Sequence, residues 1–527
     1  MNAQQSAHLV LVLSRKRQET QLTMTLALHP PLLSELRQHG QMPEGTKPFF
    51  SATSLPECPS AFPRRAFSLK VGVMPESYTP VAGDKSKKTA RKSAIGSLIG
   101  TSIEWYDYFL YGTAAAVVFG PLFFPGADPL VGLMASFGAL AVGFLARPVG
   151  GIVAGHVGDR IGRKAMLVAS LLIMGVSTTL IGLLPTYAQL GFWAPALLLL
   201  LRLVQGFGAG AEWGGAALMS VEHATAKKRG FYGSFTQIGV PIGMLLATGS
   251  FALARTVFNN ETFLAWGWRV PFLASAFLIG VGLVIRLKLE DPPKFKEMKE
   301  QNTLSSRPIV DMYRNEKRNM WLATGMRISQ NAVYYLYTVF AVAYIGRSLG
   351  SDNNTSLVAV MIASALGIIS TPIWGALSDR FGRRRLYIFG SVGSGLFVMP
   401  FFMLADTGNP VLIVVAMVLG INFFHDAMYG PQAAFFSELF STGVRYSGAS
   451  ISYSLGSVFG GGFSPLIATA LLALGGGNPW LIVAYFLFLS CITVVCAYLA
   501  PETNLRDIDD DTELGRTVPE ASHQPTH

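Results

Sequence analysis

The chain has 527 residues, of which 51% are hydrophobic and 14% charged, with a formal net charge of +10 and a mean hydropathy of +0.41. A soluble protein of this length carries about 25% charged residues, so the composition excludes an ordinary soluble enzyme and points to an integral membrane protein. The three cysteines, Cys58, Cys491 and Cys496, allow neither a disulfide framework nor a zinc site. The basic excess gathers in loops and in the leading segment, so it is no nucleic-acid footprint.

Residues 1–93 stand apart: they are rich in Pro, Ser and Gln and carry 13 Lys/Arg against 6 Asp/Glu. Their longest apolar run, "HLVLVLS", is too short for a signal core or a membrane span. The segment reads as disordered and basic. The stretch "MPESYTPVAGDKSKKTARKS" from Met74 has the form of a short cytoplasmic leader, which fits a start assigned too far upstream.

From Ser93 onward, apolar stretches of helix-spanning length alternate with short loops. Twelve spans are expected, at 94–119, 129–154, 164–184, 194–220, 229–256, 266–288, 319–346, 356–378, 385–404, 410–439, 446–473 and 479–500. The longest polar interruption, 289–318, divides six spans from six and reads as a cytoplasmic linker; residues 501–527 form an acidic tail. Lys and Arg concentrate in every second loop ("DRIGRK", "KKR", the linker, "DRFGRRR", "VRY"), which places those loops and both termini in the cytoplasm. The fold class expected is all-α integral membrane, as two pseudo-symmetric six-helix bundles.

One short charged pattern occurs twice. "GHVGDRIGRK" lies after the second span, and "GALSDRFGRRR" begins 220 residues later, after the eighth. A fainter echo links "KKRGFYGS" after the fourth span with "GVRYSGAS" after the tenth. Positive-inside topology explains the sign of these loops but not the repeated Gly-x3-Asp-Arg-x-Gly-Arg order. The order marks a duplicated six-helix unit, a plan that places a substrate site near the membrane midplane. The gate candidates are Gly155, Asp159, Arg160, Gly162 and Arg163 in the first copy and Gly375, Asp379, Arg380, Gly382 and Arg383 in the second, with Arg445 at the eleventh span. The two aspartates are placed to accept bonds from helix N-termini or arginines of the opposite half.

These paired loops resemble the signature of the major facilitator superfamily. "IEWYDYFLYG", "ARPVGGIVAGHVGDRIGRK", "LRLVQGFGAGAEWGGA", "GWRVPFLASAFLIGVGLVIRLKLEDPPKF" and "YGPQAAFFSELFSTGVRYSGAS" are similar to strings of its metabolite:proton symporter family. The resemblance covers about residues 94–503. It implies proton-coupled uptake of an organic acid, or of a zwitterionic osmolyte of the proline/betaine type, with no cofactor beyond the proton. It also implies a link between Arg202 and proton transfer.

A charge at mid-membrane costs about 2.5–3.5 kcal/mol on insertion scales, so buried ionisable residues are functional candidates. Glu104 and Asp107 lie about ten residues into the first span, three apart and on one face with Tyr108 and Tyr111. Two carboxylates so close can carry one proton between them. In the fourth span Arg202 and Glu212 do not share a face, whereas Gln205 and Glu212 do; the glycines around them read as helix-packing positions. Gln237 in the fifth span completes the candidates of the first half. Arg147, before Pro148, reads as a cation reaching for the cytoplasmic interface. In the seventh span Arg327, Gln330, Asn331, Tyr334 and Tyr335 form a polar-aromatic band. Arg327 stands 220 residues after Asp107, at matching depth, and is suited to bind a carboxylate with two hydrogen bonds. His425 and Asp426 in the tenth span form a candidate proton relay.

Two other functions are open to a chain of this class. Drug exporters of the superfamily carry a Gly-Pro step in the fifth span, and here Val240 separates Gly239 from Pro241. A membrane enzyme or sensor lacks support: "GFGAGAEWGG" is followed by no Lys-Ser/Thr, and no metalloprotease motif or serine elbow occurs. The tail shows no heptads of the kind found in osmosensing members, so an organic acid ranks ahead of an osmolyte. The expected partners are a small organic solute, the proton and the lipid bilayer, with no nucleic acid and a monomeric functional unit.

Overall fold

The computed structural model describes residues 9–13, 22–26, 84–126, 128–161, 163–210, 213–222, 224–287, 308–348, 354–441, 444–504 and 506. Side chains 84–97, 154–165, 219, 222, 226, 285–286, 308–311 and 347–348 lie outside that description. The chain divides into two compact units, Met1–Lys87 and Lys88–His527. In the first, strands β1 (Leu9–Leu13) and β2 (Leu22–Leu26) pair antiparallel, Leu9 opposite Leu26.

Among its described residues the second unit holds helices joined by turns and no strand. Its helices are α1 (Asp84–Val117), α2 (Pro129–Ile161), α3 (Arg163–Leu183), α4 (Trp193–Ala209 continued by Trp213–Glu222), α5 (Arg229–Val257) and α6 (Asn260–Thr262 through Arg269–Leu287). A second set follows: α7 (Pro308–Tyr335 continued to Ser348), α8 (Asn354–Phe381), α9 (Arg383–Ala405), α10 (Pro410–Val418 continued to Leu439), α11 (Arg445–Ser457 continued to Leu474) and α12 (Trp480–Leu499). The architecture is the expected twelve-helix one.

Among the described residues nine helices are long and apolar enough to cross a membrane, and α6, bent by 44° near Trp268, makes a tenth crossing. The two that are less apolar are α1 and α7, the helices that carry Glu104, Asp107 and Arg327. Helix α7 also begins earlier than expected, at Pro308, with a kink at Glu316 (φ −130°, ψ 20°). The 288–307 stretch of the linker lies outside the described residues.

Large apolar side chains such as Leu183, Leu253, Phe277 and Leu396 point outward, as a bilayer requires. Inside, helices approach closely through glycine. A Cβ on Gly206 of α4 would sit 1.8 Å from the carbonyl oxygen of Gly143 of α2, so only glycine fits there. The halves meet mainly along α5 with α8 and α2 with α11, and rings of α1 and α7 touch between them, Phe109 lying 5.6 Å from Tyr334. Wide turns interrupt α7 (Leu336–Phe340), α10 (Leu419–His425) and α11 (Val458–Gly462). Each adjoins a residue of the site described next, a common place for such turns.

Candidate functional site

Three helices of the first half bring cations and rings to the interface between the halves. Arg147 of α2 is 2% exposed and reaches Glu104 of α1, Nη2 to Oε1 at 3.5 Å. Its guanidinium lies over Tyr108 at 4.4 Å, Trp105 at 5.1 Å and Phe144 at 5.2 Å. The expectation of an arginine reaching for the membrane surface is therefore corrected. Arg147 is held inward by a carboxylate and an aromatic bed, and its Nε and Nη1 donors are unpartnered. No spacing rule links residues 43 apart on two helices; the signal available was a cation inside an apolar run.

Glu104 and Asp107 share a helix face and lean towards different helices, α2 and α6. Asp107 turns into the first half, where Oδ1 accepts from Ser275 Oγ of α6 and Oδ2 is unpartnered. Beside it Arg202 donates Nη1–H to Gln205 Oε1 and stacks on Tyr111 at 3.8 Å and Tyr108 at 4.7 Å. Gln205 Nε2 donates to Thr178 Oγ1 of α3 at 2.7 Å and to the Asp107 carbonyl oxygen at 3.3 Å. Glu212, paired with Gln205 in the sequence reading, lies outside the described residues.

The second half answers with Arg327 of α7, 1% exposed. Its Nη1 donates to Gln330 Oε1 and, at 2.6 Å, to Gln432 Oε1 of α10; its Nε donates to Ser457 Oγ of α11 at 3.3 Å. The guanidinium stacks on Tyr453 at 3.7 Å. Among the described residues no carboxylate forms an ion pair with it. Asn331 donates to the Ser457 carbonyl oxygen at 3.4 Å. His425 contacts Gln330 through Nε2 and Asp426 through Nδ1, the latter at 2.9 Å. Asp426 Oδ2 also accepts from Ser370 Oγ of α8 and from Asn422 Nδ2 at 3.4 Å. The adjacent His and Asp do pair, across the angle that an ordinary helix would put between them, at the end of the wide turn in α10.

The halves are tied together beside this site. Trp213 of α4 stacks on Tyr453 with centroids 3.8 Å apart and planes 13° apart. Gln237 of α5 accepts from Trp213 Nε1 at 3.0 Å and donates to the Tyr429 carbonyl oxygen at 3.2 Å. The hydroxyls of Tyr108, Tyr111, Tyr334, Tyr335, Tyr429 and Tyr453 are buried without a partner, an unusual number of idle polar groups at one place. Sequence reasoning missed Arg147, Trp213, Gln432, Tyr429 and Tyr453. None carries a spacing signal, since each matters only through a neighbour on another helix.

The gate candidates split. Asp379 accepts from the Gly230 N–H at 2.8 Å and the Phe231 N–H at 2.9 Å, both at the start of α5 in the opposite half. A carboxylate there satisfies orphan donors and the helix dipole together. Gly375 and Gly230 nearly touch, a Cβ on Gly375 falling 2.6 Å from the Gly230 carbonyl oxygen. Arg383 binds Asp379 at 2.7 Å and Glu438 of α10 at 3.3 Å. Gly382 takes φ +99° where α8 turns into α9. Arg380 is exposed, over the Phe381 ring, and stands outside this network. Arg445 is buried at the start of α11, with Nε donating to the Phe440 carbonyl oxygen at 3.4 Å. The side chains of Asp159, Arg160 and Arg163, and the whole of Gly162, lie outside the described residues, while Gly155 is described only as part of the α2 backbone. The tail adds a strap: Glu502 accepts from the Arg383 N–H at 2.7 Å, and the Arg506 carbonyl oxygen accepts from Arg229 of α5 at 2.6 Å.

The model of the Major Facilitator Superfamily matches residues 97–461 and 328–521. The chain belongs to the major facilitator superfamily. As a major facilitator protein it is 39% identical over 418 residues to the shikimate transporter of Escherichia coli strain K12, a match covering 79% of this chain and 95% of that protein. It is 33% identical over 442 residues to the proline/betaine transporter of Salmonella typhimurium, covering 82% and 87%. Among solved structures, the proton:xylose symporter bound to 6-bromo-6-deoxy-D-glucose superposes with a TM-score of 0.63 at 16% identity, over 81% of this chain and 99% of that one; that likeness speaks for the fold alone. This major facilitator protein is thus a multi-pass membrane transporter, not an enzyme.

Proposed function

We propose that the chain is a proton-coupled symporter that takes up a small carboxylate-bearing metabolite, an organic acid, by alternating access. The observation that carries this reading is Arg327: a fully buried guanidinium at the interface between the halves, without a carboxylate partner among the described residues and joined through Gln330 to the His425–Asp426 pair. A substrate carboxylate supplies the missing counter-charge by charge-assisted hydrogen bonds. The proton rides on the carboxylate and imidazole groups, His425–Asp426 in one half and Asp107 in the other. Arg147, Glu104 and the idle tyrosine hydroxyls line the opposite side.

The basic-loop end of the molecule, where Asp379 caps α5, is the cytoplasmic gate, and both termini lie in the cytoplasm of a plasma-membrane protein working as a monomer. One charge moving inward gains about 2.3 kcal/mol per 100 mV, enough for roughly 50-fold accumulation. An osmolyte of the proline/betaine type is the second reading, favoured by the rings of Trp105, Tyr108 and Phe144, since aromatic faces suit a quaternary ammonium. Those rings already hold Arg147, which favours the acid.

The test is radiolabelled uptake over a panel of organic acids and osmolytes, shikimate and proline included, with and without a protonophore. Uptake of an acid that collapses with the protonophore is expected; uptake indifferent to it would end the symport reading.

A further inference from the structure

The donors and acceptors around Gln330 allow only one orientation of its amide. Arg327 has no acceptor to offer, so the oxygen of Gln330 faces Arg327 Nη1, and it also accepts from Gln432 Nε2 at 3.3 Å. Gln432 Nε2 is in turn committed to Tyr387 Oη at 2.7 Å. The nitrogen of Gln330 therefore donates to His425 Nε2, which must be the bare nitrogen of a neutral imidazole. The remaining imidazole proton sits on Nδ1 and is donated to Asp426 Oδ1 at 2.9 Å. Each group is 3% exposed or less in its residue or side chain, so water does not substitute for a lost partner.

A proton arriving on His425 Nε2 breaks this arrangement. Two N–H donors then face each other, and Asp426, already accepting from Ser370 and Asn422, is bound to the other ring nitrogen. The local remedy is for the Gln330 amide to turn over, presenting its oxygen to His425. Its nitrogen then lies where its oxygen lay, beside Arg327. Arg327 Nη1 loses one acceptor and keeps Gln432 Oε1, Gln432 Nε2 keeps only Tyr387 Oη, and an N–H of Gln330 joins them as a further donor. A site that had been filled by its own acceptor becomes a two-donor site for an anion.

We propose that Gln330 is the positioning residue that couples a proton on His425 to carboxylate binding at Arg327, by turning over its side-chain amide. This rests on the symport reading above and adds the element that makes the two ligands cooperative. The charges act in the same direction. The titratable and charged groups facing His425 are Asp426 and Tyr429 on α10, with Tyr429 5.2 Å away ring to ring, and Arg327 and Tyr334 on α7, with Tyr334 at 4.8 Å. A carboxylate bound on Arg327 offsets the positive charge beside the ring, so proton and anion each favour the other, as linkage demands.

The experiment uses the full chain in nanodiscs and has two arms. In the first, calorimetric titration with shikimate in buffers of different ionisation enthalpy counts protons taken up at a pH where His425 is neutral. The wild type takes up about one proton per shikimate bound, and Gln330→Met, similar in shape but unable to switch, binds with no proton and no pH dependence. The same proton count in Gln330→Met overturns the proposal. The second arm needs no ligand: an infrared difference spectrum between acid and alkaline pH reads the glutamine carbonyl. A band lost in both Gln330→Met and His425→Gln supports the switch, and a spectrum unchanged by either substitution overturns it. If shikimate binds no form of the protein, the substrate reading fails and the infrared arm alone decides on the switch.

Discussion

Both halves hold the same small device, an arginine that donates to a glutamine three residues on, and they finish it differently. In the first half Arg202 donates to Gln205, whose nitrogen ends on a threonine hydroxyl and a backbone carbonyl. In the second Arg327 donates to Gln330, whose nitrogen ends on His425. Hydroxyl and carbonyl do not titrate near neutral pH, and an imidazole does. Under the switch proposed above, the second arrangement has a titratable end at the interface between bundles, whereas the first, the brace, ends inside one bundle on groups that do not titrate. The proposal therefore assigns the two copies of the motif different roles according to the partner at the far end of the glutamine.

The comparison breaks most visibly at the arginines. Arg327→Ala is expected to lower transport by about 100-fold or more, since it removes charge-assisted bonds worth about 3 kcal/mol; initial rates of radiolabelled acid uptake in vesicles measure this. Arg202→Ala, in contrast, should show first as a loss of folded protein on size-exclusion chromatography. Equal effects of the two substitutions on uptake, with folding intact, would erase the distinction between brace and switch.

His425→Gln keeps a hydrogen-bonding side chain and removes the titration. Accumulation driven by a pH gradient should fall by about tenfold or more while solute exchange without a gradient continues, the behaviour of a transporter uncoupled from its proton. Comparing net uptake with counterflow in one proteoliposome preparation checks it.

Asp379→Asn tests the tie between halves at the end carrying the basic loops. It weakens two carboxylate bonds to the start of α5, each of about 1 kcal/mol net. The expected result is a shift of about tenfold towards the conformation open at that end, read as faster alkylation of a cysteine placed at Ser234. The unchanged alkylation rate of a variant with normal turnover would reduce the repeated loop to a topology signal.

The smallest effect belongs to the brace. Thr178→Val leaves Gln205 Nε2 with only the Asp107 carbonyl oxygen, and should lower stability by about 1 kcal/mol without changing the pH dependence of uptake. Thermal unfolding followed alongside a pH–rate profile separates the two readouts.

Much of the architecture was legible because the bilayer is a severe solvent. Apolar stretches long enough to span and the polar breaks between them follow from what hydrocarbon tolerates, whatever the neighbouring helices do. The doubled Gly-x3-Asp-Arg-x-Gly-Arg loop likewise disclosed the duplication from one dimension alone. The chemically odd residues were also visible, since a charge inside an apolar run stands out without any alignment. Their pairing was not. Glu104 and Asp107 share a face by helical geometry, yet α2 approaches one and α6 the other. Arg147 had the form of an interfacial cation until α1 supplied a carboxylate and three rings supplied a bed. Gln330 was one polar residue in a band until α10 set His425 on one side of its amide and Gln432 beside the other. Sequence by itself determined the duplicated twelve-helix membrane plan and which charged side chains sit inside apolar runs. Only the tertiary structure decided which charges meet, because contact between helices far apart in the chain is settled by side-chain shape at the interface, and no period along one helix encodes its neighbour.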